Sequence, residues 1–246
     1  MQLPDRGNHR TQIVCHKGAN NVAPENTYAA AQQALDWGAD YVEVDVWTSR
    51  DGEMILLHDT TVDRTTNGTG HAVALTAAEL QALDAGSWFG PEFAGERIPL
   101  LRDFLHWIRG KAKVFLDIKF AHPQQLLDLL EETEMREACF LWSASDLWMA
   151  LMHELDPDIP IKANVSSLQA LAEAEKAFGA RIIEVGLDKI SEPLVETCRE
   201  RGIQVMILEL ERDPEAFRRA LSWNPDLINL DHADLFQTTL SEVARS

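Results

Sequence analysis

Histidine, carboxylate and lysine side chains recur at the ends of three short apolar segments in the first half of the chain. His16 ends the first segment, Glu43 and Asp45 lie in the second, and Asp117 and Lys119 lie in a later one. Residues i and i+2 of a β-strand point to the same face, so each of these pairs shares a face. Three converging carboxylates repel one another unless a cation lies among them, and oxygen ligands suit Mg2+ or Ca2+. The pattern therefore predicts a divalent-cation site.

The elements that would position these side chains alternate along the chain as in a parallel α/β fold. Short β-rich apolar runs alternate with helical patterns over 246 residues, and no Pro/Gly/Ser-rich linker divides them. The predicted strands are Gln12–Cys15, Tyr41–Trp47, Met54–Leu57, Val114–Ile118, Cys139–Trp142, Ile159–Lys162, Arg181–Val185, Gln204–Leu208 and Leu227–Leu230. The predicted helices are Thr27–Trp37, Leu100–Ile108, Pro123–Glu132, Asp146–Leu155, Leu168–Phe178, Ser191–Arg201 and Pro214–Leu221.

One of these strands is predicted to be antiparallel to its predecessor. The link between Tyr41–Trp47 and Met54–Leu57 is too short for a helical crossover, which needs about a dozen residues. It contains Asp51-Gly52, a preferred pair for a two-residue hairpin turn. Eight parallel strands then remain, which predicts an α/β fold of the (β/α)8 TIM barrel type. A doubly wound sheet is the alternative architecture.

The same hairpin gives a predicted position for a second histidine. With a two-residue turn, Arg50 faces Glu53, and Asp45 faces His58. Barrel enzymes place their catalytic groups at the carboxyl ends of the strands, where His16 also lies. Imidazole titrates near neutral pH, so one histidine can abstract a proton while the other donates one. The sequence therefore predicts acid/base chemistry beside a divalent cation.

The segment from Asp59 to Pro99 is long and rich in threonine, glycine and aromatic residues. We interpret it as an insertion over the barrel mouth, with a short helix at Thr76–Leu83. The whole chain, residues 1–246, is then expected to form a single domain with an insertion at about residues 59–99.

Composition and charge restrict the partners of the chain. The net charge of −18 argues against nucleic acids and anionic membrane surfaces. No run of about 18 apolar residues predicts a membrane span, and the scattered Cys15, Cys139 and Cys198 predict no disulfide framework. The segment from Met1 to Thr11 lacks the apolar stretch of a secretory signal, which favours the cytoplasm, although a mature secreted chain would look the same. No sequence pattern indicates an oligomeric state.

Five short motifs occur in a fixed order within residues 13–119. They are His16-Lys17-Gly18-Ala19, Ala23-Pro24-Glu25-Asn26-Thr27, Glu43-Val44-Asp45-Val46, Leu57-His58-Asp59 and Asp63-Arg64-Thr65-Thr66-Asn67-Gly68. In order and spacing they resemble the glycerophosphodiester phosphodiesterase family, whose motifs are His-Arg-Gly, Pro-Glu-Asn-Thr, Glu-x-Asp, His-Asp and Asp-Arg-Thr-Thr-Asn-Gly. From Cys139 onward only the strand–helix rhythm is similar.

The resemblance implies a TIM barrel of the phospholipase C-like phosphodiesterase type. It also implies metal-dependent hydrolysis of a small-molecule phosphodiester, a glycerophosphodiester, to an alcohol and sn-glycerol 3-phosphate. The implied site residues are His16 and His58 as general acid and base in either order, Glu43, Asp45 and Asp117 as ligands of Mg2+ or Ca2+, and Lys17, Lys119, Glu25 and Asn26 around the substrate.

Four positions depart from the family pattern. Lys17 replaces an arginine, which keeps the charge but loses the planar two-pronged contact with phosphate. Asp117 replaces the usual glutamate and is one methylene shorter. The late Trp-Thr-Val-Asn is replaced by Ile207–Leu210, and the closing Thr-Asp-x-Pro by Leu230–Ala233. These late positions would contact the alcohol part of the substrate.

The departures leave alternatives to glycerophosphodiester hydrolysis. The loss of the late tryptophan favours another phosphodiester, such as a lysophospholipid or a sugar phosphodiester. Lys17 motivates a second alternative, a non-catalytic binding module that keeps the barrel. A metal-assisted isomerase or aldolase rests on analogy of fold alone and gives no reason for two histidines.

Overall fold

The computed structural model describes residues 10–243, so the polar segment used above to predict location lies largely outside the described residues. The described part of the chain contains nine strands, numbered here in chain order. They are β1 (Gln12–Cys15), β2 (Tyr41–Thr48), β3 (Met54–Leu56), β4 (Lys113–Ile118), β5 (Cys139–Ser143), β6 (Lys162–Asn164), β7 (Ile182–Gly186), β8 (Gln204–Leu208) and β9 (Leu227–Leu230).

Eight of these strands form a parallel barrel, and β3 pairs only with β2, in the antiparallel sense. The hydrogen-bonded order is β5-β4-β2-β1-β9-β8-β7-β6. A parallel bridge between Leu141 and Ile161 brings the two end strands together, and the Leu141 amide donates to the Pro160 carbonyl over 2.9 Å. The sheet is therefore a nearly closed ring, which confirms the TIM barrel and makes the doubly wound alternative wrong.

Helices follow most of the strands and cover the outside of the barrel. Within residues 10–243 none of them has the length and hydropathy needed to cross a bilayer. They are α1 (Tyr28–Asp36), α2 (Ala77–Ala82), α3 (Leu101–Ile108), α4 (Pro123–Glu132), α5 (Asp146–Leu155), α6 (Leu168–Phe178), α7 (Glu192–Glu200), α8 (Pro214–Ser222) and α9 (Ala233–Val243).

Most predicted elements end within one residue of the observed bounds, and two elements differ by more. The strand predicted at Ile159–Lys162 is observed at Lys162–Asn164, because Pro160 has no amide hydrogen to donate to a ladder. Helix α9 is absent from the predicted helices, since it contains adjacent threonines, which have low helix propensity. Its Phe236 packs edge-on against Phe217 of α8 at 5.5 Å between ring centroids, so tertiary packing stabilises this helix.

The interior of the barrel consists of an apolar layer with a polar layer above it. The apolar layer is a cluster of one inward residue from each of seven strands: Val14, Tyr41, Phe115, Phe140, Ile182, Met206 and Leu227. Two positions further along the same strands, on the same face, lie His16, Glu43, Asp117, Trp142, Glu184, Leu208 and Asn229. The alternation of the strands thus directs mostly polar residues into the mouth, at the carboxyl end of the barrel.

The turn between β2 and β3 has three residues rather than the predicted two. The Ser49 amide donates to the Glu53 carbonyl over 2.8 Å, so these two residues close the hairpin. Gly52 alone takes a left-handed conformation, with φ +92°. Asp51 instead accepts hydrogen bonds from the Ser49 hydroxyl and the Ala77 amide, at 2.7 and 2.8 Å, and so ties the turn to the insertion.

The additional turn residue shifts the register of the hairpin by one. The Leu57 amide donates to the Asp45 carbonyl over 3.1 Å, so Leu57 faces Asp45 and the predicted pairing of Asp45 with His58 is wrong. A shift of one residue exchanges the two faces of a strand. Leu57 is buried beside the insertion, and His58 follows as the first residue beyond the hairpin, with its side chain 38% exposed.

The insertion packs on the hairpin through its own small apolar cluster. This cluster includes Ile55 and Leu57 of the hairpin together with Val62, Leu80 and Ile98 of the insertion. The predicted helix at Thr76–Leu83 is α2, with Thr76 as its N-terminal cap. Whether the full chain is a single domain stays a prediction.

Candidate active site

Three carboxylates converge in the polar layer on neighbouring strands. Asp45 of β2 is in register with Asp117 of β4, and Glu43 lies two residues before Asp45 on the same face. One oxygen from each carboxylate lies within 4.8 Å of the others, and all three side chains are buried. Asp117 Oδ1 is buried without a hydrogen-bond donor. A cluster of three carboxylates with an unpaired buried oxygen fits the ligand set of a hard divalent cation.

The charge balance of this triad also favours a cation. Burial, followed by repulsion from Asp45, raises the pKa of Glu43 to about 8. Burial and the charge of Asp45 likewise raise the pKa of Asp117. The Lys119 ammonium lies 3.0 Å from Asp45 Oδ1 and 2.8 Å from Asp117 Oδ2. One ammonium cannot neutralise three carboxylates, so a divalent ion would complete the balance.

The loop between β1 and α1 holds two of the carboxylates, one through a main-chain amide and the other through an asparagine side chain. The Lys17 amide, at φ +56°, donates to Glu43. Asn26, at φ +59°, donates from Nδ2 to Asp45 Oδ2 over 2.7 Å and accepts from the Asp45 amide over 2.9 Å. Left-handed backbone is costly for residues other than glycine, and such strain is often found at functional sites. The Lys17 ammonium itself lies 3.7 Å from Glu25.

A carboxylate anchors the first histidine. His16 Nδ1 lies 2.8 Å from Asp231 Oδ1, which also accepts from Asn20 Nδ2 over 2.8 Å. Asn20 donates to the His16 carbonyl as well, over 2.9 Å. Burial alone would lower the pKa of His16, but the Asp231 hydrogen bond and the charge of Glu43 outweigh burial and raise it. Nδ1–H is thus held by Asp231, and Nε2 is left for chemistry.

The second histidine has the same kind of anchor. His58 Nδ1 lies 2.8 Å from Asp59 Oδ1. Arg64 donates to both oxygens of Asp59, over 2.6 and 3.0 Å, and these bonds hold the pKa of that carboxyl far below its usual range. The same guanidinium donates hydrogen bonds to both oxygens of Glu25, over 2.7 and 2.9 Å. A chain of ionic contacts therefore runs from His58 through Asp59 and Arg64 to Glu25.

The sequence of this chain also matches a known family. The family model described as "Glycerophosphoryl diester phosphodiesterase family" matches residues 16–235, which includes both histidines and the three carboxylates. The chain belongs to this family. The prediction of a phosphoric diester hydrolase is thereby confirmed at the level of the family.

Individual members of the family match over different lengths. A Bacillus subtilis relative is 40% identical over 155 residues, which are 60% of this chain and 63% of that protein. The glycerophosphodiester phosphodiesterase of Caldanaerobacter subterraneus is 30% identical, over 85% of this chain and 89% of its own length.

Two solved structures extend the likeness to the fold. A glycerophosphodiester phosphodiesterase from Agrobacterium tumefaciens has a TM-score of 0.88 at 36% identity, over 92% of this chain and 99% of its own. An Oleispira antarctica phosphodiesterase solved with the product sn-glycerol-3-phosphate has a TM-score of 0.85 at 25% identity, covering 94% of this chain and 96% of that one.

The structure places the four sequence-predicted residues around the substrate in two groups. Asn26 and Lys119 contact the carboxylate triad directly. Lys17 and Glu25 contact each other, and Glu25 holds Arg64. Sequence reasoning missed Asn20 and Asp231 as partners of His16. It also missed Asp59 as the partner of His58, and Arg64 as the residue that holds Asp59. Asp231 directly follows a predicted strand at the barrel mouth, which is the signal that could have found it.

Gly18 makes the turn after His16 and Lys17 possible. It has φ +76°, and a Cβ atom there would lie 2.8 Å from the main-chain carbon and Cβ of Ala30. Gly110 has the same φ, with open space around it. We expect Gly18→Ala to lower the free energy of unfolding by about 1–3 kcal/mol more than Gly110→Ala, because only Gly18→Ala also forces α1 away. Urea unfolding of both variants measures this difference, and equal losses would contradict the role assigned to the close approach.

Proposed function

We propose that this chain hydrolyses glycerophosphodiesters to an alcohol and sn-glycerol 3-phosphate, with a divalent cation and two histidines. The observation that carries the proposal is the pair of imidazoles, each anchored at Nδ1 by a carboxylate, in the family fold that surrounds the carboxylate triad. The sn-glycerol-3-phosphate bound by the Oleispira relative supports the same product here.

Glu43, Asp45 and Asp117 would hold the cation, Mg2+ or Ca2+. When bound, the ion supplies Lewis-acid polarisation of a phosphoryl oxygen. Lys119 lies against two of the three carboxylates, so its ammonium is placed to stabilise charge that develops on the same phosphoryl group. Asn26 keeps Asp45 oriented by accepting from its amide and donating to its carboxylate.

The histidines move the protons of the reaction. Nε2 of one histidine takes the proton of the attacking hydroxyl, which is the neighbouring hydroxyl of the glycerol unit. The other histidine protonates the departing alcohol oxygen as its bond to phosphorus breaks. Water then opens the resulting cyclic phosphate, and the two histidines exchange roles. Asp231 and Asp59 make both rings competent by fixing the proton on Nδ1.

A purely binding role, motivated by Lys17, has less support. The Lys17 amide still holds Glu43, and its ammonium still lies beside Glu25, so the lysine does not disrupt the site. The carboxylates, both histidines and their anchors are all present. A module that had lost catalysis would have no need for this complete set.

Removal of divalent ions is expected to abolish the hydrolysis of glycerophosphodiesters. Chelated and dialysed protein should release no sn-glycerol 3-phosphate above background, and Mg2+ or Ca2+ should restore the release, because the triad supplies only oxygen ligands. The assay is enzymatic detection of glycerol 3-phosphate before and after each ion is added back. Full activity in excess chelator would show that hydrolysis does not require a divalent cation.

Asp231→Asn is expected to move one limb of the pH–rate profile to lower pH. Burial lowers the pKa of His16, and the Asp231 hydrogen bond is the largest of the contributions that together raise it, so an uncharged amide in place of Asp231 lowers that pKa. If His16 is the base, the acid limb of kcat/KM moves; if it is the acid, the alkaline limb moves. The same experiment therefore assigns the two roles. Asp234→Asn, a change three residues later in the first turn of α9, is the control. An unshifted profile in Asp231→Asn would contradict the anchor.

A further inference from the structure

A second cluster of charged and amide side chains lies in the barrel, on strands that the proposed reaction does not use. Lys162 of β6 is 2% exposed, and its ammonium contacts Glu184 of β7. The same ammonium donates to Asn164 Oδ1 over 2.8 Å. Glu184 Oε1 accepts from Asn229 Nδ2 of β9 over 3.0 Å. A lysine this deeply buried is rare without a structural or functional reason.

The Lys162 ammonium also lies over an aromatic ring at the mouth. It is 4.6 Å from the ring centroid of Trp142, and the Lys119 ammonium is 6.0 Å from the same ring. A quaternary ammonium such as choline is normally recognised by an aromatic face of this kind. The Lys162 ammonium already lies over this ring, so a cationic alcohol could take the same position against Trp142 only by displacing it.

The cluster borders an open cavity at the carboxyl ends of β6, β7 and β8. The cavity has a volume of about 280 Å3, and its lining includes Asn164, Ser166, Glu184 and Lys189. The Lys162 ammonium donates to Asn164 Oδ1, so the Nδ2 hydrogens of Asn164 are the groups left to bind a ligand. Both Glu184 oxygens are engaged, one by Lys162 and one by Asn229. The cavity thus offers hydrogen-bond donors, which suit the hydroxyl oxygens of a polyol.

The cluster joins the reaction site on both sides. Asn229 and Asp231 lie two residues apart on one face at the end of β9, and Asp231 anchors His16. On the other side, Trp142 lies between Lys162 and Lys119, and Lys119 contacts Asp117. The cavity is therefore next to the position of the phosphoryl group, where the alcohol of the substrate must lie.

From these contacts we propose that Lys162 is a positioning residue that selects the alcohol of the substrate, acting through Asn164 and Trp142. The favoured diesters carry an uncharged polyhydroxyl alcohol, such as glycerol or inositol, and those carrying choline are disfavoured. This inference rests on the proposed function and refines its substrate class. Asn164 is the residue that contacts the hydroxyl groups.

Steady-state kinetics on paired substrates test this selection. For the metal-loaded wild-type chain, kcat/KM for glycerophosphoinositol and glycerophosphoglycerol is expected to exceed that for glycerophosphocholine by about tenfold or more. Lys162→Met combined with Glu184→Gln removes both charges of the pair together, so no unpaired charge is left buried. This double variant should reduce the preference by about tenfold, through a higher KM for the inositol diester and a lower KM for the choline diester.

Two further variants separate selection from damage to the fold. Asn164→Ala changes an exposed side chain, so it should fold normally and raise KM for the inositol diester without raising it for the choline diester. Lys111→Met is the matched control, because Lys111 also lies over a tryptophan, at 3.8 Å from the Trp107 ring, but on the outer surface. It should leave the preference unchanged.

The outcomes distinguish this inference from the function on which it rests. Equal turnover of the choline and inositol diesters by the wild-type chain would overturn the selection and leave the hydrolase intact. The selection is also overturned if Lys162→Met with Glu184→Gln lowers kcat/KM for all three diesters by one factor, or if Asn164→Ala has no effect. A wild-type chain that cleaves none of the three would overturn both.

Discussion

Replacement of His16 by alanine is expected to lower kcat for glycerophosphodiester hydrolysis by about 10^2 to 10^4-fold. The imidazole moves a proton in each half of the proposed reaction. Among the described contacts of Asp231 Oδ1, the other partner is the Asn20 amide, which cannot take over this proton transfer. His58→Ala should cause a loss of similar size, because its imidazole supplies the complementary transfer. The measurement is the release of glycerol 3-phosphate at saturating substrate and cation.

A variant that lacks both histidines, and a control variant of a surface histidine, test whether the loss of activity is specific to the proposed proton transfer. Two residues that act in one proton relay are not additive, so His16→Ala with His58→Ala should lose little more activity than either single variant. His106→Ala, an exposed change on the outer face of α3, should keep wild-type kcat. Near-normal turnover in either active-site variant would show that the two-histidine mechanism is wrong for this chain.

Much of the barrel could be predicted because its signals are local. The strands Gln12–Cys15, Gln204–Leu208 and Leu227–Leu230 are short β-rich apolar runs, and their predicted and observed bounds are identical. Glu43 and Asp45 could be placed on one face from the strand period alone, and the structure brings them together with Asp117. Each of these inferences needs only a few neighbouring residues.

The hairpin register could not be predicted in the same way, because a single residue decides it. Asp51-Gly52 favours a two-residue turn, but the Asp51 carboxylate is bound by the Ala77 amide, and this residue lies 26 positions away in the insertion. That tertiary contact holds a three-residue turn and moves His58 beyond the last paired residue. Local turn preference is outweighed by a contact that the sequence does not show.

The anchors of the histidines escape sequence reasoning for a related reason. Asp231 lies 215 positions from His16 and reaches it only because β9 pairs with β1. Arg64 lies 39 positions from Glu25, and it joins Glu25 to Asp59 across the insertion. Both contacts depend on the closure of the barrel and on the path of the insertion. The resemblance implies which groups would carry protons, and the structure is needed to show what holds them.

Glu43→Gln is expected to lower the activity of the enzyme and to make the stability of the metal-free protein less dependent on pH. In the folded, metal-free protein burial and then Asp45 raise the pKa of Glu43 from 4.5 to about 8. The folded state thus holds a proton that the unfolded chain releases. The resulting stability is fully present below the unfolded value and is lost as pH rises through about 8. Glutamine has no such proton to lose.

Two measurements follow from this linkage. Urea unfolding of the metal-free protein at increasing pH should show a fall in stability that is smaller in Glu43→Gln, by on the order of 1 kcal/mol. Calorimetric titration with Ca2+ should give an affinity that increases towards pH 8 in the wild-type chain, because the ion displaces the proton. In the variant this increase should be weaker and kcat/KM should fall roughly a hundredfold or more, because one ligand is neutral.

An exposed glutamate provides the control for both measurements. Glu92→Gln removes a carboxyl at the surface of the insertion and should change neither the pH dependence of unfolding nor the Ca2+ affinity. If Glu43→Gln binds Ca2+ and turns over substrate as the wild-type chain does, Glu43 is not a ligand. Glu43→Gln should therefore reduce the loss of metal-free stability at high pH and also reduce activity. Both effects have one cause, because the negative charges that repel one another in the metal-free protein are the charges that attract the cation.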